Sequence, residues 1–172
     1  HRLLKVEHMP VNPHAVIVDT ALIARAPRKL LLAGIGDAIS KKFEVAQCHA
    51  AQGQNIFGGL GTRAALALAD LCFETLLAHA EGALAALEHQ SPDDSLEAIV
   101  EACVLLSGLC FENGGLSVAH SMTRGLSALP ATAHALHGLQ VAYGTMVQWQ
   151  LEGRPPAFMH EMRAFYRRVG LP

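Results

Sequence analysis

Along most of the chain, apolar residues recur every three or four positions, the spacing that lines one face of a helix. The longest such stripe carries Leu66, Ala69, Phe73, Leu76, Leu77 and Ala80. Thr62 stands just before it, and its hydroxyl can accept from a free first-turn N–H, so the pattern predicts a helix from Thr62 to about Ala80. The alanine-rich 82–90 stretch keeps the same period. Ser91-Pro92-Asp93-Asp94 reads as the next helix start, with Pro at the first position and acids in the first turn. That helix runs through Val104 toward Leu109 and is broken at Asn113-Gly114-Gly115. Upstream, Asp19 or Thr20 caps a short helix, Thr20–Ala26, stopped at Pro27. Pro27 opens a segment through Ala33, Gly34 and Gly36 punctuate it, and a helix follows from about Asp37 to Ala50. A glycine-rich loop covers 53–61. Downstream, helices are expected over about Leu116–Leu129, from Thr132 or His134 to about Glu152, and over Phe158–Val169.

The amino-terminal end breaks this pattern. Arg2–Met9 reads as a short strand, Pro10 and Asn12-Pro13 interrupt the chain, and the β-branched run Ala15–Val18 reads as a second short strand. The fold class predicted is therefore mainly α, a helical bundle with one or two short amino-terminal strands.

Composition narrows the function classes. Of 172 residues, 51% are hydrophobic and 16% charged, which excludes a disordered chain and leaves a core large enough for one self-supporting domain. The net charge is −2 and basic residues come only in pairs, Arg28-Lys29, Lys41-Lys42 and Arg167-Arg168, each read as an ordinary solvated pair. Nucleic acid is not expected as a partner. No apolar run approaches the ~18 residues of a membrane span, and the first residues lack the apolar stretch of a signal peptide. A cytoplasmic location follows as an expectation. Cys48, Cys72, Cys103 and Cys110 form no Cys-x-x-Cys pair and read as reduced, buried thiols. The chain begins at His1, without an initiator Met, which suggests a piece of something longer.

Most of the ten histidines sit at ends or beside charges. His120 differs, opening a helix after Gly114-Gly115 among small residues. His134 and His137 share a helix face, and His137 precedes Gly138, where another backbone or a ligand can approach closely. Asp37 follows Gly34-Ile35-Gly36 at an expected helix start. Taken singly, Asp37 reads as a cap and each histidine as a core residue. Together, one carboxylate and two imidazoles can hold a divalent metal and leave a position open. No phosphate-cradling glycine motif is present.

In order along the chain stand Asn12-Pro13-His14-Ala15-Val16-Ile17-Val18-Asp19-Thr20, Ala33-Gly34-Ile35-Gly36-Asp37-Ala38, Ser107-Gly108-Leu109-Cys110-Phe111-Glu112-Asn113-Gly114-Gly115, Ala119-His120 and His134-Ala135-Leu136-His137-Gly138. This ordered set resembles the glycerol dehydrogenase branch of the metal-dependent, iron-containing type alcohol dehydrogenases. The resemblance implies that Asp37, His120 and His137 bind one catalytic metal, zinc in preference to iron, and that His134 is a neighbour. It implies an NAD-linked enzyme that oxidises a hydroxyl of a small alcohol, in a protein expected to be a homo-oligomer. Phe111 and Asn113 become candidates to line the substrate pocket.

Two local sequences depart from the glycerol-type pattern. Where that pattern carries Ala-His-x-x-His-Asn-Gly, this chain has Thr123 and Arg124 at the second His and the Asn. Where it carries His-Gly-Glu-Lys, this chain has His137-Gly138-Leu139-Gln140. Arg124 can attract a carboxylate, so a 2-hydroxy or 2-oxo acid is the alternative substrate class. Residues 1–19 resemble the last strands of the family's nucleotide-binding half, and residues 20–172 its helical metal-binding domain cut at the carboxyl end. The NAD site is expected outside this chain, which alone is expected to be inactive. The reading from another class is a non-catalytic helical oligomerisation module.

Overall fold

The computed structural model describes residue 11 and residues 13–172. Helices account for nearly all regular structure there: α1 (Thr20–Ile23), α2 (Arg28–Ala38), α3 (Lys41–Ala50), α4 (Arg63–His89), α5 (Asp94–Glu101), α6 (Ser107–Gly114), α7 (Val118–Ala128), α8 (His137–Leu151) and α9 (Pro156–Val169), with a π-helical turn, Ala102–Leu106, joining α5 to α6. The mainly helical reading holds. The strand expected over Arg2–Met9 lies outside the described residues. Ala15–Val18 forms no strand: Val16 and Ile17 are 69% and 93% exposed, and no sheet among the described residues offers them a ladder. β-branched side chains favour extended backbone, but a strand also needs a neighbour to bond.

Local chemistry explains most helix boundaries. Asp19, Thr62 and Asp93 cap α1, α4 and α5, each side-chain oxygen accepting a backbone N–H three residues on. Pro92 therefore precedes the cap of α5 and is not its first residue. The alanine-rich 82–90 stretch is simply the end of α4, which stops where Gln90 turns left-handed at φ 52°. Residues 130–136 are turns and not the first turn of α8. Thr132 donates to the Leu126 carbonyl and receives the amide of Gln140, which folds this segment back onto α7.

The largest correction concerns Gly34 and Gly36, which do not break the helix: α2 runs through both. Their value is spatial. A Cβ on Gly36 would lie 2.6 Å from the Gly138 carbonyl oxygen, so the missing side chain is what lets α2 and α8 cross in contact. Asp37 consequently sits in the last turn of α2, not at a helix start.

The core lies between α2, α4, α5, α8 and α9. Its centre is aromatic. Trp149 packs edge-to-face on Phe43, Phe158 and Tyr166 at centroid distances of 5.0, 5.3 and 5.7 Å, and the Arg154 guanidinium covers Phe43 at 5.1 Å. This cluster fixes α3 against α8 and α9, while α2, α6, α7 and α8 line a cleft open to solvent.

Candidate metal centre

Three residues far apart in sequence meet at one end of this cleft. Asp37 comes from the end of α2, His120 from the first turn of α7, and His137 from the first position of α8. One donor atom from each lies within 4.8 Å of the other two. His137 Nε2 is 3.3 Å from Asp37 Oδ2, and His120 Nε2 is 3.7 Å from Asp37 Oδ1. Two ligands of a tetrahedral zinc at ~2.0–2.2 Å stand roughly 3.3–3.5 Å apart, so these spacings fit one ion with little movement. The imidazoles of His120 and His137 are inclined at 61° with centroids 5.4 Å apart.

The helix crossings that bring these groups together run through the residues beside them. Gly36 precedes Asp37 and Gly138 follows His137, and these two glycines form the α2–α8 contact. Ala119 precedes His120, and a Cβ on Gly144 of α8 would come 2.6 Å from the Ala119 oxygen. Each candidate ligand is thus anchored next to a point where two helix backbones touch. At Gly115, φ is 83°, a left-handed value that glycine adopts freely, and this turn starts α7 against α3.

Two charged residues of α3 complete the centre, and the sequence reading missed both. Lys41, expected from its Lys41-Lys42 pairing to be solvated, is 3% exposed. Its ammonium ion-pairs with Asp37 Oδ1 and lies 3.3 Å from His120 Nε2. A positive group therefore already finds favourable contacts among these donors, which fits a site built for a cation. Glu44 is fully buried. Its Oε2 lies 2.5 Å from His120 Nδ1, and its Oε1 accepts the backbone N–H groups of Ser117 and His120, both at 2.9 Å. Asp37, Lys41 and Glu44 are spaced i, i+4 and i+7, one helical face continued across the α2–α3 junction. That polar stripe in apolar surroundings was the available signal.

Burial pushes the Asp37 carboxyl up, but the nearby His120 imidazole and the Lys41 charge outweigh it and hold Asp37 well below the ordinary carboxylate range. Burial likewise opposes charge on Glu44, and its bonds with His120 overcome it, so Glu44 also stays ionised. Burial lowers the His120 pKa, yet the neighbouring carboxylates of Asp37 and Glu44 raise it overall. A proton and a metal therefore compete for its Nε2. His137, which burial leaves below the usual imidazole value, offers a neutral nitrogen.

The cleft beside these groups encloses about 1280 Å³. Phe111 and Arg124 line it, as does Gln140. Arg124 lies one turn after His120 on the same face of α7. Asn113 does not reach the cleft. Its side-chain amide donates to the Leu109 carbonyl, and its own carbonyl receives Asn55. His134 is exposed in the turn before α8.

No protein-family model matches the chain. The chain is 45% identical over 164 residues to a glycerol dehydrogenase of Escherichia coli O6:H1, covering 95% of this chain and 45% of that protein. It is 45% identical to a glycolaldehyde reductase of Halobacterium salinarum over 161 residues, 94% of this chain and 44% of the relative. The crystal structure of a probable glycerol dehydrogenase from Sinorhizobium meliloti 1021 superposes with a TM-score of 0.91 at 43% identity, covering 95% of this chain and 46% of that one. The chain spans about half the length of the curated relatives it matches. Along 95% of its length it is homologous to the carboxyl-terminal, helical part of the glycerol dehydrogenases.

Proposed function

We propose that this chain is the metal-binding part of an NAD-linked oxidoreductase of the glycerol dehydrogenase type, one that converts a hydroxyl of a small polyol to a ketone. Residues 20–172 form the helical catalytic unit in this reading, and residues 1–19 belong with the nucleotide-binding part. The observation that carries it is the convergence of Asp37, His120 and His137 at the head of a cleft wide enough for a small substrate and the edge of a cofactor. A divalent metal held by these three, zinc in preference to iron, supplies Lewis acidity that lowers the pKa of a substrate hydroxyl. The nicotinamide supplies the hydride acceptor, and no residue of this chain is assigned to holding it.

The chain's own residues prepare that chemistry. Asp37 presents an ionised carboxylate at working pH. His120 is held at Nδ1 by Glu44, which leaves Nε2 for the cation. His137, at the start of α8 and half exposed, faces the open side. The walls contributed by Phe111 and Gln140 shape the space next to the donors.

A second reading rests on Arg124. A guanidinium on the cleft wall one turn from His120 suits a substrate carboxylate, and a 2-hydroxy acid would then replace the polyol. A non-catalytic helical module, the reading from another class, needs no metal. Calorimetric titration of the purified chain with Zn²⁺ decides between module and metal centre. One equivalent binds in our reading, and Asp37→Ala, His120→Ala and His137→Ala each weaken it at least tenfold. Equal binding by all four proteins overturns the site.

A further inference from the structure

We propose that Glu44 is a positioning residue that sets the metal-binding nitrogen of His120 and, through the same carboxylate, fixes where α7 begins. The inference rests on the metal-centre reading above and adds a residue that the reading does not need. Its basis is the number of bonds one buried side chain makes. Glu44 is fully buried, in the first turn of α3. Oε2 takes the Nδ1 side of His120 at 2.5 Å. Oε1 takes the backbone N–H groups of Ser117 and His120, each at 2.9 Å. These are amides at the amino end of α7, where the Ser117 side chain makes no capping bond. One carboxylate therefore caps the helix and grips a side chain in that helix's first turn.

The chemistry is specific to a carboxylate. An ionised carboxylate only accepts, so it requires the proton of His120 on Nδ1 and leaves Nε2 directed at Asp37 and His137. A partner behind a ligating imidazole holds the ring's orientation and raises its basicity, and losing such a partner commonly weakens metal binding 10–100-fold. Glutamine has nearly the same shape but cannot replace Glu44. With its oxygen toward the backbone, its NH₂ faces Nδ1 and drives the proton to Nε2. With its oxygen toward Nδ1, the NH₂ meets two backbone N–H groups. The first orientation takes the metal-binding lone pair from Nε2, and the second sets donor against donor in a buried place.

The test measures Zn²⁺ affinity by competition with a chromophoric chelator, beside helical circular dichroism and the melting temperature of the metal-free chain. We expect Glu44→Gln to lose 10–100-fold in Zn²⁺ affinity and Glu44→Asp to lose at least threefold. In a His120→Ala background, Glu44→Gln should change the affinity no further. A purely structural role would lower the melting temperature of both variants and leave their Zn²⁺ affinity within twofold of the parent; that result overturns the proposal. If Glu44→Gln does not fold, Glu44→Asp decides by the same limits. If His120→Ala itself binds Zn²⁺ like the parent, the metal-centre reading falls and this inference with it, an outcome distinct from a normal loss at His120 with none at Glu44.

Discussion

Gly138 of α8 lies against Ala33 of α2 so closely that a Cβ at position 138 would stand 1.8 Å from the Ala33 carbonyl oxygen. Backbone meets backbone here, with no flexible side chain able to move aside. Gly138→Ala must therefore separate α2 from α8, and with them Asp37 from His137. The expected cost is about 3 kcal/mol, near the upper end for overpacking, or roughly 6–12 °C in melting temperature for a chain of this size. Zn²⁺ affinity should fall with it. Differential scanning calorimetry with and without Zn²⁺ checks both; a variant as stable and as tightly binding as the parent would show that the crossing does not hold the site.

Asp37 and His137 should separate in their effects on the metal-free chain. Removing Asp37 strands the buried Lys41 ammonium without its counter-charge. Breaking a fully buried pair this way costs ~3–5 kcal/mol, and we expect roughly 2 kcal/mol for Asp37→Ala because Asp37 is 28% exposed. His137→Ala, at a half-exposed helix start, should cost under about 0.5 kcal/mol, as ordinary surface changes do. Urea unfolding in the presence of a chelator measures the two; equal losses would remove the role given to Lys41.

Trp149 should prove the most costly single truncation in the core. It is fully buried and touches three other rings. Trp149→Ala is expected to cost about 3–5 kcal/mol. Its indole N–H has no hydrogen-bond partner among the described residues, so Trp149→Phe sacrifices contact area and no bond, at about 1–2 kcal/mol. Chemical denaturation of both variants tests the ordering.

The thiols should be slow to react. Burial pushes Cys72 and Cys103 up to about 12 and Cys110 to about 11, from an ordinary value of 9.0. Alkylation by iodoacetamide at pH 8 should be far slower in the folded chain than in urea, because the thiolate is the reactive form. The same shifts set a direction for stability. Folded values above the unfolded 9.0 mean that the contribution is complete below pH 9 and is lost as pH rises toward 12. Mass-spectrometric labelling rates and alkaline melting curves report on these separately.

Arg124 offers a test of substrate class in a protein that carries this chain together with its nucleotide-binding part. If the substrate bears a carboxylate, Arg124→Leu should raise KM for a 2-hydroxy acid about 10–100-fold, the worth of a charge-assisted hydrogen bond, and leave KM for glycerol nearly unchanged. A uniform change for both substrates would return Arg124 to the role of an ordinary cleft-wall residue.

How much of this was legible in the sequence depended on distance along the chain. Capping acts over three positions, so the cap at Thr62 is legible locally, and the Ser91–Asp94 signal marks the start of α5 to within two residues, with Asp93 and not Ser91 at the cap. Asp37, His120 and His137 stood out because each neighbours a glycine or a run of small residues, even though the helix that holds Asp37 was misplaced. Gly34 and Gly36 read locally as breakers because glycine is a weak helix former. Their actual role depends on Gly138, Ala142 and Cys103, about 70–100 positions away, which no local pattern reveals. Lys41 and Glu44 were missed for a related reason. A charged residue in a helix usually faces water, and only the meeting of α3 with α7 turns Glu44 into a buried partner of His120. Ala15–Val18 has the composition of a strand without a neighbour to pair with among the described residues.

The most direct test of the central claim is a crystal structure of the chain grown with one equivalent of Zn²⁺, with the ion located by anomalous scattering at the zinc edge. One strong peak is expected, ~2.0–2.2 Å from a carboxylate oxygen of Asp37 and from Nε2 of both His120 and His137, with Lys41 withdrawn from between them. A peak bound elsewhere, or one that omits any of the three, would contradict it.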